Sequence, residues 1–174
     1  MKHLFAAVAV LCASSAFATE SDTAPTREEF AALKAEVAEL RALVPTQAHV
    51  MADVEYQFAN VWFAARARNW PLASFYVNET RSRINWALRI RPVRKLANGE
   101  DIVLAPYAQN IERIGLDPLK AAVEAQDLNA TQTAYRATLA ACHACHIAVE
   151  KPQLATGIPR QAASPLIRIR PATP

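Results

Sequence analysis

Apolar residues recur every three or four positions along most of the chain, which predicts amphipathic helices. The clearest stretch runs from Thr26 to Val44, where Thr26 and Glu29 stand at the separation of a capping box. Its apolar positions form an a/d seam over two heptads, and they are Phe30, Leu33, Val37, Leu40 and Val44. Two interpretations fit this seam: the helix packs on its own domain, or it forms a short coiled coil that pairs two copies as a homodimer.

The same spacing predicts two longer helices after Pro45. One extends from about Thr46 to Arg68. Asn69 as N-cap and Pro71 in the first turn begin the next, which stops before Pro92. The inward face of the earlier helix includes Met51, Val54 and Phe58.

The second half of the chain is also predicted to be helical. A turn at Asn98-Gly99 precedes a shorter or broken helix over residues 100–114, and another helix opens at Asp117-Pro118. The last helix has Asn129 and Gln132 as its expected capping pair and ends near Pro152. Nothing in the pattern indicates a sheet, so the predicted fold class is all-α.

The N-terminus has the three-part layout of a secretory signal peptide. A basic start, Met1–His3, precedes an apolar run from Leu4 to Leu11 and small residues that end at Ala18. Cleavage after Ala18 predicts export to the periplasm. The apolar run is too short to span a bilayer, and no other run approaches that length, so we expect no membrane span in the mature chain. The predicted organisation is a signal peptide (1–18), an N-terminal amphipathic helix (19–45), a helical bundle (46–152) and a proline-rich extended tail (153–174).

The only cysteines beyond the signal peptide are Cys142 and Cys145, and His146 follows them in a C-x-x-C-H motif. Residues three and four apart share a helix face, so both sulfurs and the imidazole can meet one porphyrin. This motif predicts one covalent haem c, with thioethers at the cysteines and His146 as the proximal iron ligand. A redox disulfide would leave His146 unexplained, and a zinc site would lack a fourth ligand. His143 is expected to face solvent.

The sixth iron position has two candidate ligands. In an up-down four-helix bundle the first and last helices run antiparallel, which brings Met51 to the same end as His146. Met51 is also the only methionine beyond the signal peptide. It could ligate the iron, or it could simply fill space in the core. His49 is the weaker candidate, because it lies two positions away and points to another side of the helix.

The net charge and its distribution along the chain indicate which kinds of partner the protein can bind. The formal net charge of +3 falls by one when Lys2 is removed, and it is too small to indicate a nucleic-acid partner. A run of basic residues without acids lies between Thr80 and Gly99. Three interpretations fit this run: it forms a solvated helix face, it contacts the haem propionates, or it is the surface that binds an acidic redox partner. Its members are Arg81, Arg83, Arg89, Arg91, Arg94 and Lys95.

The last helix from Tyr135 to His146, and the order of the helices, resemble the cytochrome c-prime family. The segment from Asn69 to Ala73 also looks like one found in small periplasmic helical cytochromes related to that family. The resemblance covers roughly residues 46–152. It implies an up-down-up-down four-helix bundle, here with an additional N-terminal helix, in which Cys142 and Cys145 attach the haem and His146 ligates it. Family members often leave the sixth position empty, and Met51 departs from that pattern.

Three functions are consistent with a haem on the last helix, and the first two are not enzymatic. An electron carrier is favoured if Met51 completes the coordination of the iron. A five-coordinate haem protein that binds or senses NO or CO is favoured if Val54 and Phe58 line an open distal side. A haem peroxidase is the least supported, since only Arg66 and Arg68 offer distal basic groups. We expect an electron carrier that is not an enzyme.

Overall fold

The computed structural model of the chain describes residues 24–164 and 166–171. Helices dominate these residues, which confirms the all-α fold class. The chain divides into two compact units, Met1–Leu43 and Val44–Pro174, and each is described by itself. The predicted signal peptide, residues 1–18, lies outside the described residues.

The first unit contributes one helix, α1, over Arg27–Leu43. The predicted capping box is confirmed: the Thr26 backbone N–H donates to Glu29 Oε2 at 2.8 Å, and the Glu29 N–H donates to Thr26 Oγ1 at 3.2 Å. No residue of α1 is buried, and its apolar seam is exposed from Phe30 to Leu40.

The second unit contains the remaining helices. They are α2 (Gln47–Arg66), α3 (Trp70–Ile90), α4 (Ala105–Ile111), α5 (Asp117–Glu124) and α6 (Leu128–Ala148). A π-helical turn, Glu112–Leu116, joins α4 to α5 without a break, so the predicted broken helix is one continuous stretch with a wider turn inside it. Helices α2 and α3 form a hairpin across residues 67–69.

The predicted cap holds for α3 and fails for the last helix. Asn69 Oδ1 accepts from the Leu72 N–H at 3.3 Å and caps α3 as predicted, while Thr46, for which no cap was predicted, caps α2. Helix α6 begins earlier than expected, because Asp127 caps it by accepting from the Ala130 N–H at 2.9 Å. Gln126 adopts a left-handed conformation, with φ of 57°, so the chain already turns before Asp127. Asn129 therefore lies inside the helix, and its predicted capping role was wrong.

A small antiparallel hairpin follows α3, where no sheet was predicted. Strand β1 (Val93–Lys95) pairs with β2 (Asp101–Val103), and Lys95 also forms an ion pair with Asp101 at 3.0 Å. Strands of three residues are too short to show the alternation that identifies a strand in a sequence. The predicted turn between them is present, and Gly99 takes a φ of 87° there.

The described part of the tail has no helix or strand, but it is hydrogen-bonded to the helices. The Ala163 N–H donates to Asn60 Oδ1 at 3.0 Å, and Asn69 Nδ2 donates to the Ile169 carbonyl at 3.0 Å. Thr156 Oγ1 donates to the Leu139 carbonyl of α6 at 2.8 Å. These hydrogen bonds attach the proline-rich segment to α2, to α6 and to the Asn69 cap of α3. Among residues 24–164 and 166–171, no helix combines the length and apolar character needed to cross a bilayer.

Candidate haem-attachment site

The C-x-x-C-H motif occupies the last two turns of α6. The helix ends at Ala148, and Glu150 follows in the left-handed conformation with φ of 58°. This geometry lets the Lys151 N–H donate to the His146 carbonyl at 2.8 Å and so satisfies a helix-end acceptor. The motif therefore lies on regular helix, as the spacing predicted.

Cys142 and Cys145 are unpaired, half-buried thiols packed against the apolar core. Burial, with the neighbouring Cys145 as a smaller cause, raises the pKa of the Cys142 thiol to about 12. Burial also raises the pKa of Cys145, while the nearby Arg94 guanidinium acts in the opposite direction. Cysteines of disulfide oxidoreductases have a lowered pKa instead. The environment of both thiols therefore disfavours the redox-disulfide alternative.

The imidazole of His146 is held in one orientation by the tail. Its Nδ1 lies 2.7 Å from the Leu154 carbonyl oxygen. A carbonyl can only accept, so Nδ1 carries a proton, and in the neutral imidazole Nε2 is then the nitrogen whose lone pair can ligate a metal. Metal-ligating histidines commonly show this arrangement, in which one ring nitrogen donates to a carbonyl and the other ligates. The sequence could not reveal Leu154 as a partner, because its contribution is a main-chain oxygen placed by the tail.

Arg94 of β1 lies at the same end of the molecule as the motif. Its guanidinium is near Cys145 and donates to Gln47 Oε1 in the first turn of α2 at 2.6 Å. The hairpin loop is also joined to this end, since the Ala97 N–H donates to Glu150 Oε2 at 2.7 Å. The first turn of α2 and the last turns of α6 are therefore neighbours.

The basic residues from Arg81 to Lys95 do not form one continuous positive surface for an acidic partner. Arg81 binds Glu112 at 2.8 Å and Asp117 at 2.7 Å, and Arg83 binds Glu79 at 3.3 Å. Lys95 pairs with Asp101, and Arg94 contacts Gln47. Acidic side chains therefore pair with Arg81, Arg83 and Lys95 of this run, while Arg89 and Arg91 are exposed.

The two candidates for the sixth position have different surroundings. Met51 is half-buried one turn beyond Gln47, on the face that continues through half-buried Val54 to buried Phe58. His49 is exposed, and its Nδ1 lies 2.9 Å from Thr46 Oγ1 at the cap of α2. The β1–β2 hairpin is bonded to the start of α2, where Arg94 donates to Gln47, and to the residues after α6, where the Ala97 N–H donates to Glu150. Met51 follows Gln47 by one turn. Met51 is thus the better placed of the two.

His143 differs from the expectation that it faces solvent. The residue is half-buried, and its Nδ1 is buried without a hydrogen-bond partner among the described residues. The cause is local: Cys142 and Cys145 pack against the core of the second unit, which leaves His143 partly covered.

An aromatic cluster supports α6 two turns before Cys142. The rings of Phe58 and Tyr135 stack with centroids 4.2 Å apart, and Trp62 lies 5.1 Å from Tyr135. Tyr135 Oη donates to the Phe58 carbonyl at 3.1 Å. Burial, with the nearby Cys142 as a smaller cause, raises the Tyr135 pKa, so the phenol stays protonated. These contacts fix the position of α6 against α2.

The residues present fit a covalently attached haem. Two unpaired thiols three residues apart and an imidazole with a free Nε2 lone pair lie within one helical segment. Two large apolar side chains beside them, Ile147 and Leu154, are each 53% exposed, and an apolar macrocycle would cover such surface. Across the described ranges, no three His, Cys, Asp or Glu side chains converge to hold a metal ion by themselves.

Comparisons with protein-family models, curated proteins and solved structures found no match for this chain. The function proposed below therefore rests on the chain's own residues.

Proposed function

We propose that the chain is a periplasmic monohaem c-type cytochrome that carries electrons to or from a redox partner protein. Haem c is attached at Cys142 and Cys145, and His146 is the proximal ligand. One observation carries the proposal: the Nδ1–H of His146 donates to the Leu154 carbonyl beside two unpaired cysteines on the same helix. The proposed architecture is an up-down-up-down bundle of α2, α3, the continuous α4–α5 stretch and α6, with α1 as an additional helix.

Each residue has a distinct task in this proposal. The cysteines anchor the haem, so it stays in place regardless of the oxidation state. The Leu154 carbonyl fixes the ring of His146 and increases the donor strength of Nε2. The haem supplies one-electron redox chemistry, and the protein sets its potential through ligands, charge and burial. The rigid Phe58–Tyr135 stack keeps α6 in one position, which suits a carrier that changes little between oxidation states.

Met51 decides between an electron carrier and a gas-binding protein. If its sulfur is the distal ligand, the protein as purified has a low-spin spectrum and takes up carbon monoxide slowly, because the gas must displace the thioether. The Met51→Ala variant is then expected to become high-spin, bind carbon monoxide readily and fall in reduction potential. Absorption spectra of the ferric and ferrous forms, with and without carbon monoxide, measure all three changes when combined with a redox titration.

His49→Ala is the matched control for Met51→Ala, since it removes a neighbouring candidate ligand from the same helix turn. Its spectrum is expected to match that of the unaltered protein. A high-spin unaltered protein that binds carbon monoxide freely would make Met51 a packing residue. The gas-binding function, with Val54 and Phe58 lining the distal side, would then replace the electron carrier.

Arg94 is expected to raise the reduction potential of the haem. Its positive charge beside Cys145 favours the reduced state, which carries one positive charge fewer. Arg94→Gln should lower the potential by on the order of 30–60 mV, since 59 mV is tenfold for one electron. Arg66→Gln is the control. Arg66 lies at the other end of α2 from Gln47, the residue that Arg94 contacts, and a 20-residue helix is about 30 Å long. Arg66→Gln therefore removes the same charge far from Gln47. Equal shifts in the two variants would exclude a local role for Arg94.

A further inference from the structure

Helix α1 presents an apolar stripe that no described residue of its own unit covers. Phe30 and Leu33 are each 55% exposed and Leu40 is 56% exposed, although all three are large apolar side chains. None of the 17 residues of α1 is buried. A helix with such a stripe is poorly stable alone in water, so the stripe needs a partner.

The charged residues that flank the stripe are arranged by sign along the heptad. In heptad positions Phe30 and Val37 are a, and Leu33 and Leu40 are d. All three e positions of α1 are then basic, and the first two of its three g positions are acidic. The e residues are Arg27, Lys34 and Arg41, and the g residues are Glu29, Glu36 and Leu43.

This arrangement of charges selects a second copy of the same chain in parallel orientation. In a parallel pair, a g residue faces the e residue five positions later in the partner helix. Glu29 then meets Lys34 of the second copy, and Glu36 meets Arg41 of the second copy, so every such pair attracts. In an antiparallel pair, e faces e and g faces g, so the pairs in which both residues are charged repel.

We propose that α1 is a parallel two-stranded coiled coil that joins two copies of this chain. Val at one a position and Leu at both d positions favour two strands over three or four. With 17 residues the helix is about 26 Å long, which is short for a coiled coil. The dimer therefore dissociates on dilution. Dimerisation through α1 does not depend on the haem, because only residues of α1 form the proposed interface.

The test is sedimentation equilibrium of the full mature chain, from residue 19, over a wide concentration range. The unaltered chain is expected to approach the dimer mass at high concentration and the monomer mass on dilution. Glu36→Arg alone, and Arg41→Glu alone, should each weaken dimerisation by roughly tenfold, because each places like charges face to face. The double variant Glu36→Arg with Arg41→Glu restores opposite charges and should restore the dimer.

Ala35→Arg is the control for Glu36→Arg, since it adds the same side chain at an f position that faces away from the partner. It should leave the dissociation constant unchanged. A monomer at every concentration would overturn the proposal. A dimer that tolerates both single charge variants, or that survives deletion of residues 19–44, would overturn it in favour of another interface. Circular dichroism of each variant verifies that it is folded.

Discussion

The Cys142→Ala and Cys145→Ala double variant is expected to lose all haem when it is denatured. In the proposed attachment, two thioethers hold the haem in the unaltered protein, and they survive unfolding because they are covalent bonds. In the double variant only the bond from His146 remains, and denaturation removes it. The expected change is complete: from one haem per polypeptide to none.

The two single variants should each retain haem through one thioether. The ferrous bis-pyridine spectrum of the denatured protein reports how many vinyl groups have reacted, so each single variant should show a band between those of the unaltered protein and of free protohaem. Ala144→Ser is the control, since it changes an exposed variable position inside the motif. It should leave the spectrum unchanged. Loss of haem from Ala144→Ser, or retention by the double variant, would contradict attachment at these two sulfurs.

Gly115→Ala is expected to destabilise the second unit strongly. Gly115 lies in the π-helical turn, and a Cβ built there would be 2.8 Å from Thr138 Oγ1 and 2.9 Å from Thr138 Cα. The second of these atoms belongs to the backbone of α6, so no side-chain rotation relieves the clash. Overpacking of this kind costs about 1–3 kcal/mol. For a domain of this size, that lowers Tm by roughly 3–10 °C. Thermal unfolding followed by circular dichroism measures the change.

Gly157→Ala is the matched control for Gly115→Ala. A Cβ at Gly157 meets nothing within 4 Å, so the change should be neutral or stabilise by about 0.4–1 kcal/mol through the unfolded state. The Thr138→Ala change should rescue Gly115→Ala only in part, since the clash with the backbone of α6 persists. An unchanged Tm for Gly115→Ala would mean that α6 is not held tightly against the π-helical turn.

Local sequence signals predicted most of the helices. The capping box at Thr26, the N-cap at Asn69 and the stop before Pro92 are determined by nearby residues, so they could be found without tertiary information. The β1–β2 hairpin escaped notice because its strands are three residues long. The cap of α6 was misplaced because Asp127 and Asn129 are both good N-cap residues, and the left-handed Gln126 decides between them.

The sequence names the candidate residues of the site, but not the groups that contact them. Spacing alone brings Cys142, Cys145 and His146 to one helix face. The Leu154 carbonyl and the Arg94 guanidinium reach the site through the tail and the hairpin, whose paths depend on long-range interactions. No local pattern encodes such interactions. The charge pattern of α1 is visible in the sequence. It indicates dimerisation only together with the exposure of the apolar seam, which the structure shows.

Covalent attachment of haem to the unaltered chain is the central claim, and one measurement tests it most directly. The mature protein is expressed with the export and haem-attachment machinery, purified, denatured and extracted with acidified organic solvent, and the intact polypeptide is weighed by mass spectrometry. The colour is expected to stay with the polypeptide, whose mass should exceed that of the mature sequence by one haem. A colourless polypeptide of unmodified mass, with the pigment in the solvent, would contradict covalent attachment.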